Sequence, residues 1–234
     1  MITDNQKTAT AREARQLLRA HRYGALCTLS KKYNGHPFGS ITPFLVDHDG
    51  SLLILISTLA EHTKNILHDP RVSLITHNQG SPHIQAQGRV TVLGSAIPVE
   101  DRECADLRYL RYFPEAQAYI AMNDFSFYRI VPEVIRYIGG FGNIYWIKAP
   151  DYTVTRSPLM TQEGDILEEM NTRHEATIRL HTAQDEQKAE LLGIDCDGFD
   201  IRVGAEIMRI QTNFPILDTE HARLALLRKT RQTN

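Results

Sequence analysis

The sequence predicts a β-rich α+β protein, in which an antiparallel barrel of six to seven strands with inserted helices precedes a small α+β domain. Two observations support this prediction. Short segments rich in apolar and β-branched residues follow one another closely, and Gly, Asn and Asp residues separate them. No G-x-G-x-x-G motif follows any of these segments, so a doubly wound dinucleotide-binding sheet is not indicated.

The first predicted elements are a helix and a β-hairpin. Apolar residues recur at helical spacing over 9–22, and Gly24 follows them. Asn34 and Gly35 form the dipeptide that most strongly favours a tight hairpin turn. We therefore expect the strands over 25–30 and 36–46 to pair with each other.

A second helix is predicted directly after a buried strand. The continuous apolar run over 52–57 is typical of a strand buried on both faces. Thr58 and Glu61 match a capping box, which predicts a helix over about 59–67. The remaining predicted elements of this part are strands over 72–77, 84–93, 125–131, 134–138 and 144–147, and a helical segment over 99–121 that Pro114 interrupts.

The composition changes at 148–151, which predicts a linker between a domain over 1–150 and a domain over 151–234. The second domain is predicted to contain both helices and strands. Its predicted elements are helices over 162–182 and 219–231 and strands over 191–194, 199–203 and 207–212.

Composition excludes several classes of function. A net charge of −2 provides no general attraction to nucleic acid, and the longest strongly apolar run is far too short to span a membrane. Cys27, Cys104 and Cys196 are widely spaced and form no C-x-x-C pair, so neither a disulfide framework nor a zinc site is indicated. The start of the sequence has no apolar signal segment, and we therefore expect a cytoplasmic protein.

The segment between the buried strand and the second helix carries the most promising chemistry. Hydroxyl groups, an imidazole and an ammonium group are concentrated where a helix begins, and helix N-termini favour phosphate. The alternative is that Thr58 and Glu61 only cap the helix while His62 and Lys64 face water. The residues alone leave both interpretations open.

Several motifs resemble a known superfamily. The runs RYGALCTL at 22–29, STLAEHTKN at 57–65 and HDPRVSL at 68–74 resemble the pyridoxamine 5′-phosphate oxidase-like, FMN-binding split-barrel superfamily. With GFGNIYWI at 140–147 the similarity narrows to its HugZ-type haem-utilisation branch. The runs MNTRH, GIDCDGFD and NFP, which start at 170, 193 and 213, resemble the small C-terminal domain often fused to such barrels.

The resemblance implies a split β-barrel that forms a homodimer, with two equivalent sites for haem or FMN at the interface. The resemblance implies two sets of cofactor contacts, one with the phosphate and one with the isoalloxazine ring. The phosphate contacts are Ser57, Thr58, His62, Thr63 and Lys64, and the isoalloxazine contacts are Ser40, Gln85 and Arg89. In haem-degrading members a histidine near the C-terminus binds the iron, and here the matching candidate is His221, which precedes a helix.

The implied function is haem utilisation: binding haem and degrading it oxidatively at the dimeric site. One alternative is an FMN-dependent oxidoreductase, and another is a non-enzymatic cofactor-binding or scaffold dimer. The R-L-H-x-R type motif of true pyridoxamine 5′-phosphate oxidases is absent, so oxidation of vitamin B6 is not expected.

Overall fold

The computed structural model describes residues 4–78, 82–100, 102–140, 142–154, 158–182 and 188–227. The chain divides into two compact units, Met1–Thr153 and Val154–Asn234. Residues 148–151, predicted as a linker, instead end a strand and begin the helix Ala149–Tyr152. Tyr152 is fully buried and its hydroxyl donates a hydrogen bond to the carbonyl of Gly50, so this helix belongs to the core of the first unit.

The first unit is a curled antiparallel sheet. Its strands are β1 (Tyr23–Leu29), β2 (Pro37–Pro43), β3 (Leu45–Val46), β4 (Leu52–Ser57), β5 (Arg71–His77), β6 (Arg89–Pro98), β7 (Phe125–Ile138) and β8 (Ile144–Lys148). They pair in the order β2-β1-β5-β6-β7-β4-β3, and β8 pairs with β7. Every pairing is antiparallel, so the predicted fold class of an antiparallel split barrel is confirmed.

Three strand predictions are wrong in detail. The strand predicted over 36–46 is interrupted at Phe44, which separates β2 from β3. The strand predicted over 84–93 begins only at Arg89, because Ile84–Ala86 forms a short 3-10 helix. The two strands predicted over 125–138 are one continuous strand, β7, and the β6–β7 register shifts between Leu93 and Gly94 to accommodate it.

The helices of the first unit surround the sheet. They are α1 (Asp4–Arg19), α2 (Glu61–His68), α3 (Arg102–Tyr112), α4 (Gln117–Ile120) and α5 (Ala149–Tyr152). Helix α1 buries Ala14 and Leu18 completely in a core that also contains Leu26, Ile54 and Ile130. Burial of this alternating apolar set is the main favourable term for the unit.

The edge strand β2 lies near β4 at the seam of the curled sheet. Helix α2, which follows β4, packs on β1 and β2 and therefore lies beside this seam. Asn65 of α2 anchors it: the Nδ2 group donates to Thr28 Oγ1 at 2.9 Å, and Oδ1 accepts the N–H of Lys31 at 2.9 Å. Since Asn65 is buried, these two bonds fix the helix against β1.

The second unit has its own sheet and core. Strands β9 (Ala189–Asp195), β10 (Gly198–Val203) and β11 (Glu206–Gln211) form an antiparallel sheet. The helices are α6 (Leu159–Arg173), α7 (Glu175–Arg179) and α8 (Thr219–Leu227). The helix predicted over 162–182 is thus broken at His174, and residues 228–231 of the predicted last helix lie outside the described residues.

Among the described helices, none combines the length and the apolar character that crossing a membrane requires.

Candidate functional site

A carboxylate holds the turn between β4 and α2. Ser57 Oγ donates to Asp124 Oδ2 at 2.6 Å, and the N–H of Thr58 donates to the carbonyl of Asp124 at 2.7 Å. Ser57 Oγ also accepts the N–H of Leu59 at 3.1 Å. Sequence reasoning missed Asp124 because it lies 67 residues from Ser57.

The predicted capping box is not formed. Helix α2 begins at Glu61, and its N-cap is Ala60, an extended residue whose side chain provides no cap. Thr58 is exposed and lies outside the helix, so its hydroxyl is not the cap. Thr63 is fully buried, and its Oγ1 donates to the carbonyl of Ser57 at 2.6 Å.

His62 is directed toward the edge strand. Its Nδ1 is hydrogen-bonded to Ser40 Oγ of β2 at 3.1 Å, and both side chains are half-buried. Burial lowers the pKa of His62, which favours the neutral imidazole. The prediction that His62 supplies positive charge to a phosphate is therefore weakened, while the prediction that it lies at the site remains open.

Lys64 forms an ion pair within its own helix. Its ammonium group lies 2.9 Å from Glu61 Oε1, and each side chain is 48% exposed. The hydrogen bond from Lys64 lowers the pKa of Glu61. An exposed pair of this kind contributes little stability, so Lys64 can exchange Glu61 for an anionic ligand at low cost.

Gln85 and Arg89 lie together on another part of the sheet. Gln85 is exposed in the 3-10 helix, and Arg89 Nη1 donates to its carbonyl at 3.2 Å. In the sheet order, β1 and β5 separate the strand of Arg89 from the strand of Ser40. Within the described first unit, the structure therefore brings together Ser40, Ser57, Thr58, His62, Thr63 and Lys64 and leaves Gln85 and Arg89 apart from them.

His221 lies in the second unit, in the first turn of α8. Its Nδ1 is 2.9 Å from Asp218 Oδ2, and its backbone N–H donates to Asp218 Oδ1 at 2.8 Å. This backbone hydrogen bond lowers the pKa of Asp218. The ring lines a pocket with Phe214, Pro215, Leu217 and Leu224. Its role as a haem ligand stays a prediction.

The structure describes the side chains of two of the three cysteines. Neither Cys27 nor Cys196 forms a disulfide bond with a described residue, and the side chain of Cys104 lies outside the described residues.

Residues 5–154, which cover the whole barrel, match the model of the CREG β-barrel family. The chain belongs to the CREG β-barrel family. Within that family it resembles the chloroplastic non-canonical haem oxygenase HOZ of Arabidopsis thaliana, with 31% identity over 216 residues. That alignment covers 87% of this chain but only 66% of the plant protein, so the CREG-barrel protein described here spans about two thirds of its relative's length.

Two solved structures resemble this CREG-barrel protein over nearly its full length. A protein of unknown function from Agrobacterium tumefaciens has a TM-score of 0.75 at 22% identity and covers 94% of this chain and 93% of its own. A haem-binding protein from Mycobacterium smegmatis has a TM-score of 0.58 at 26% identity and covers 93% and 94%. The resemblance to the haem-utilisation branch of the split-barrel superfamily is thereby confirmed.

Proposed function

We propose that this chain binds haem on its barrel unit and degrades the macrocycle oxidatively, with molecular oxygen and an external electron donor as co-reactants. Family membership supports the proposal, as do the plant relative described as a haem oxygenase and the mycobacterial structure described as haem-binding. The proposal assigns to this chain the haem oxygenase activity for which the longer plant protein is named.

The direction of the hydroxyl groups at the β4–α2 turn is the observation that favours haem over flavin. Ser57 donates to Asp124, and Thr63 donates to the carbonyl of Ser57, so neither proton is directed to an incoming phosphate. The turn therefore offers a flavin phosphate fewer hydroxyl donors than the sequence indicates.

The side chains around the turn fit a porphyrin. Leu59 is 74% exposed, which is unusual for a large apolar residue and provides apolar surface. Lys64 and Lys32 supply ammonium groups near α2, and both act on the pKa of Glu61. An apolar surface beside cations matches a macrocycle that carries two propionates.

Haem, when bound, supplies the iron at which oxygen is activated. The chain's own residues would contact the macrocycle and its propionates. Leu59 removes an apolar edge of the macrocycle from water, and the lysines pair with the propionates.

The proposal is tested by mixing the purified protein with hemin and then adding a reductant in air. We expect a Soret band characteristic of bound haem on mixing, followed by loss of that band and appearance of a linear tetrapyrrole product. A stable Soret band under the same conditions would leave a haem-binding protein without oxygenase activity. Absence of any bound-haem spectrum would contradict the proposal.

One observation favours an FMN-dependent oxidoreductase as the second candidate. Because no side chain caps α2, the positive end of its dipole is available to a phosphate. Protein that is yellow as purified and quenches FMN fluorescence on titration would support this candidate. Protein that binds neither cofactor would support a non-enzymatic scaffold dimer.

We further propose that the chain forms a homodimer through the outer face of the barrel sheet. Strand registers place a set of exposed apolar side chains on this face. They are Tyr23, Ile41, Leu93, Ile144 and Trp146. Several exposed apolar side chains on one face of a sheet are typical of a protein–protein interface.

We also place the protein in a reducing compartment such as the cytoplasm. Cys27, which forms no disulfide bond with a described residue, supports this placement, because oxidising compartments favour paired cysteines.

A further inference from the structure

His62 has a defined ring orientation at the seam of the barrel. Its Nδ1 is held by Ser40 Oγ at 3.1 Å, and Ser40 lies opposite the fully buried Leu26 in the β1–β2 ladder. The helix that carries His62 is itself fixed by the buried residues Thr63 and Asn65. Both partners of this hydrogen bond therefore sit on anchored backbone.

The other ring nitrogen of His62 is uncommitted. No described residue forms a hydrogen bond with Nε2, and the side chain is half-buried rather than fully enclosed. Three other described histidines use Nε2 within the protein: His21 with Asn78, His48 with Arg108, and His181 with the carbonyl of Leu226.

An imidazole with one nitrogen held and the other free matches the arrangement found at metal centres. Metal-bound histidines usually donate their second N–H to an oxygen acceptor, which fixes both the tautomer and the ring plane. Ser40 Oγ can accept such a bond from Nδ1–H, and this tautomer leaves the lone pair on Nε2 available to iron.

The geometry points to His62 as the nitrogen ligand of haem iron, with Ser40 as the residue that orients its ring. This inference rests on the proposed haem function, since it names the iron donor of that site. It differs from the expectation carried by the family resemblance, which assigns the iron to His221. Leu59 and Lys64, on either side of His62 in the chain, supply the exposed apolar surface and the cation that the same haem requires.

The test is a hemin titration of the full chain followed by absorbance in the Soret region. We compare the wild type with His62→Gly, Ser40→Ala and His221→Ala. His77→Ala is the matched control, because His77 Nδ1 is likewise held, by the carbonyl of Asn78, but the residue lies on β5.

We expect His62→Gly to lose the histidine-bound spectrum and to regain it when free imidazole is added. Rescue by imidazole also shows that the variant is folded. Ser40→Ala should weaken hemin binding by about ten-fold, as removal of an outer partner of a metal-bound histidine does. His77→Ala and His221→Ala should bind hemin as the wild type does.

Two results overturn the inference while leaving the proposed function intact. One is an unchanged spectrum and affinity in His62→Gly. The other is loss of the histidine-bound spectrum in His221→Ala, which would assign the iron to the second unit. A wild-type protein that binds no hemin would instead overturn the proposed function, and the inference with it.

Discussion

At the scale of single residues, Asp47 is a carboxylate of the barrel unit that is paired with two arginines. Arg129 Nη1 lies 2.6 Å from its Oδ2, and Arg108 Nε lies 3.7 Å from its Oδ1. Burial alone would raise the pKa of Asp47, but the charges of Arg108 and Arg129 outweigh burial and hold the pKa below its usual value. Asp47 is thus ionised in the folded protein and stabilises the turn between β3 and β4.

We predict that Asp47→Asn lowers the free energy of unfolding by about 3 kcal/mol at pH 7, because it leaves two guanidinium groups without their buried counter-ion. A carboxylate whose pKa is lower in the folded protein than in the unfolded chain stabilises the folded protein above the unfolded pKa of about 3.9. This stabilisation is lost as the pH falls further. The difference between variant and wild type should therefore shrink below about pH 4.

Urea unfolding at pH 7 and pH 3 measures both effects. The control is Asp4→Asn, which removes a carboxylate that is 97% exposed and paired with Lys7 on the same helix. A constant difference between Asp47→Asn and wild type at the two pH values would contradict the pKa argument.

The backbone conformation of single residues was predictable where a dipeptide alone determines it. Asn34 and Gly35 adopt φ values of 50° and 81°, as the hairpin signal requires. Thr58 failed as a cap because it lies in a turn, in which the N–H of Ala60 donates to the carbonyl of Ser57, before the helix begins at Glu61. A capping motif specifies residue types, whereas the starting point of the helix also depends on Asp124, which is remote in sequence.

At the scale of elements, Gly94 determines how β6 pairs with β7. The register of the two strands shifts there, and a Cβ added to Gly94 would lie 2.0 Å from the carbonyl oxygen of Val131. Only a glycine allows the two backbones to approach this closely. The irregularity lets β7 continue where the sequence predicts two separate strands.

We predict that Gly94→Ala destabilises the protein by about 3 kcal/mol or more, because the clash is with backbone and cannot be relieved by a rotamer change. Gly39→Ala is the matched control, since a Cβ there meets no atom within 4 Å. Thermal unfolding of the two variants measures the effect. Equal melting temperatures would contradict the close approach at Gly94.

Predicted elements were most reliable where burial is uniform and least reliable at their ends. The apolar run of β4 was predicted to the residue because every position except Ser57 is buried. Ile84 was assigned to a strand by its apolar character, yet it is 59% exposed in a 3-10 helix. Hydrophobic pattern alone does not distinguish an apolar residue in a surface turn from one in a strand.

At the scale of the whole molecule, the outer face of the barrel sheet exposes several large apolar side chains to water. Trp146 is 62% exposed, and Arg136 lies over its ring at 4.8 Å. Aromatic and arginine side chains of this kind are the residues that contribute most at protein–protein interfaces.

We predict that Trp146→Glu prevents the proposed homodimer from forming, since it places a charge in an apolar contact. Leu107→Glu is the control, because Leu107 is 64% exposed and belongs to the helix α3, not to a strand of the barrel sheet. Sedimentation velocity measures the result. A wild-type monomer, or a Trp146→Glu variant that stays dimeric, would contradict the proposed interface.

The overall architecture was predictable because turn chemistry and apolar spacing are local and recur through the chain. The site was predictable only in part. Ser57, His62, Thr63 and Lys64 were found from one short segment, but the pairings Ser57–Asp124 and Ser40–His62 depend on strands brought together by the fold. The placement of Gln85 and Arg89 away from Ser40 likewise follows from strand order, which spacing does not specify.

Parallel equilibrium titrations of the purified protein with hemin and with FMN test the central claim most directly. The account predicts saturable hemin binding at one haem per chain with a shifted Soret band, and no comparable change with FMN. Tight FMN binding without a hemin complex would contradict it.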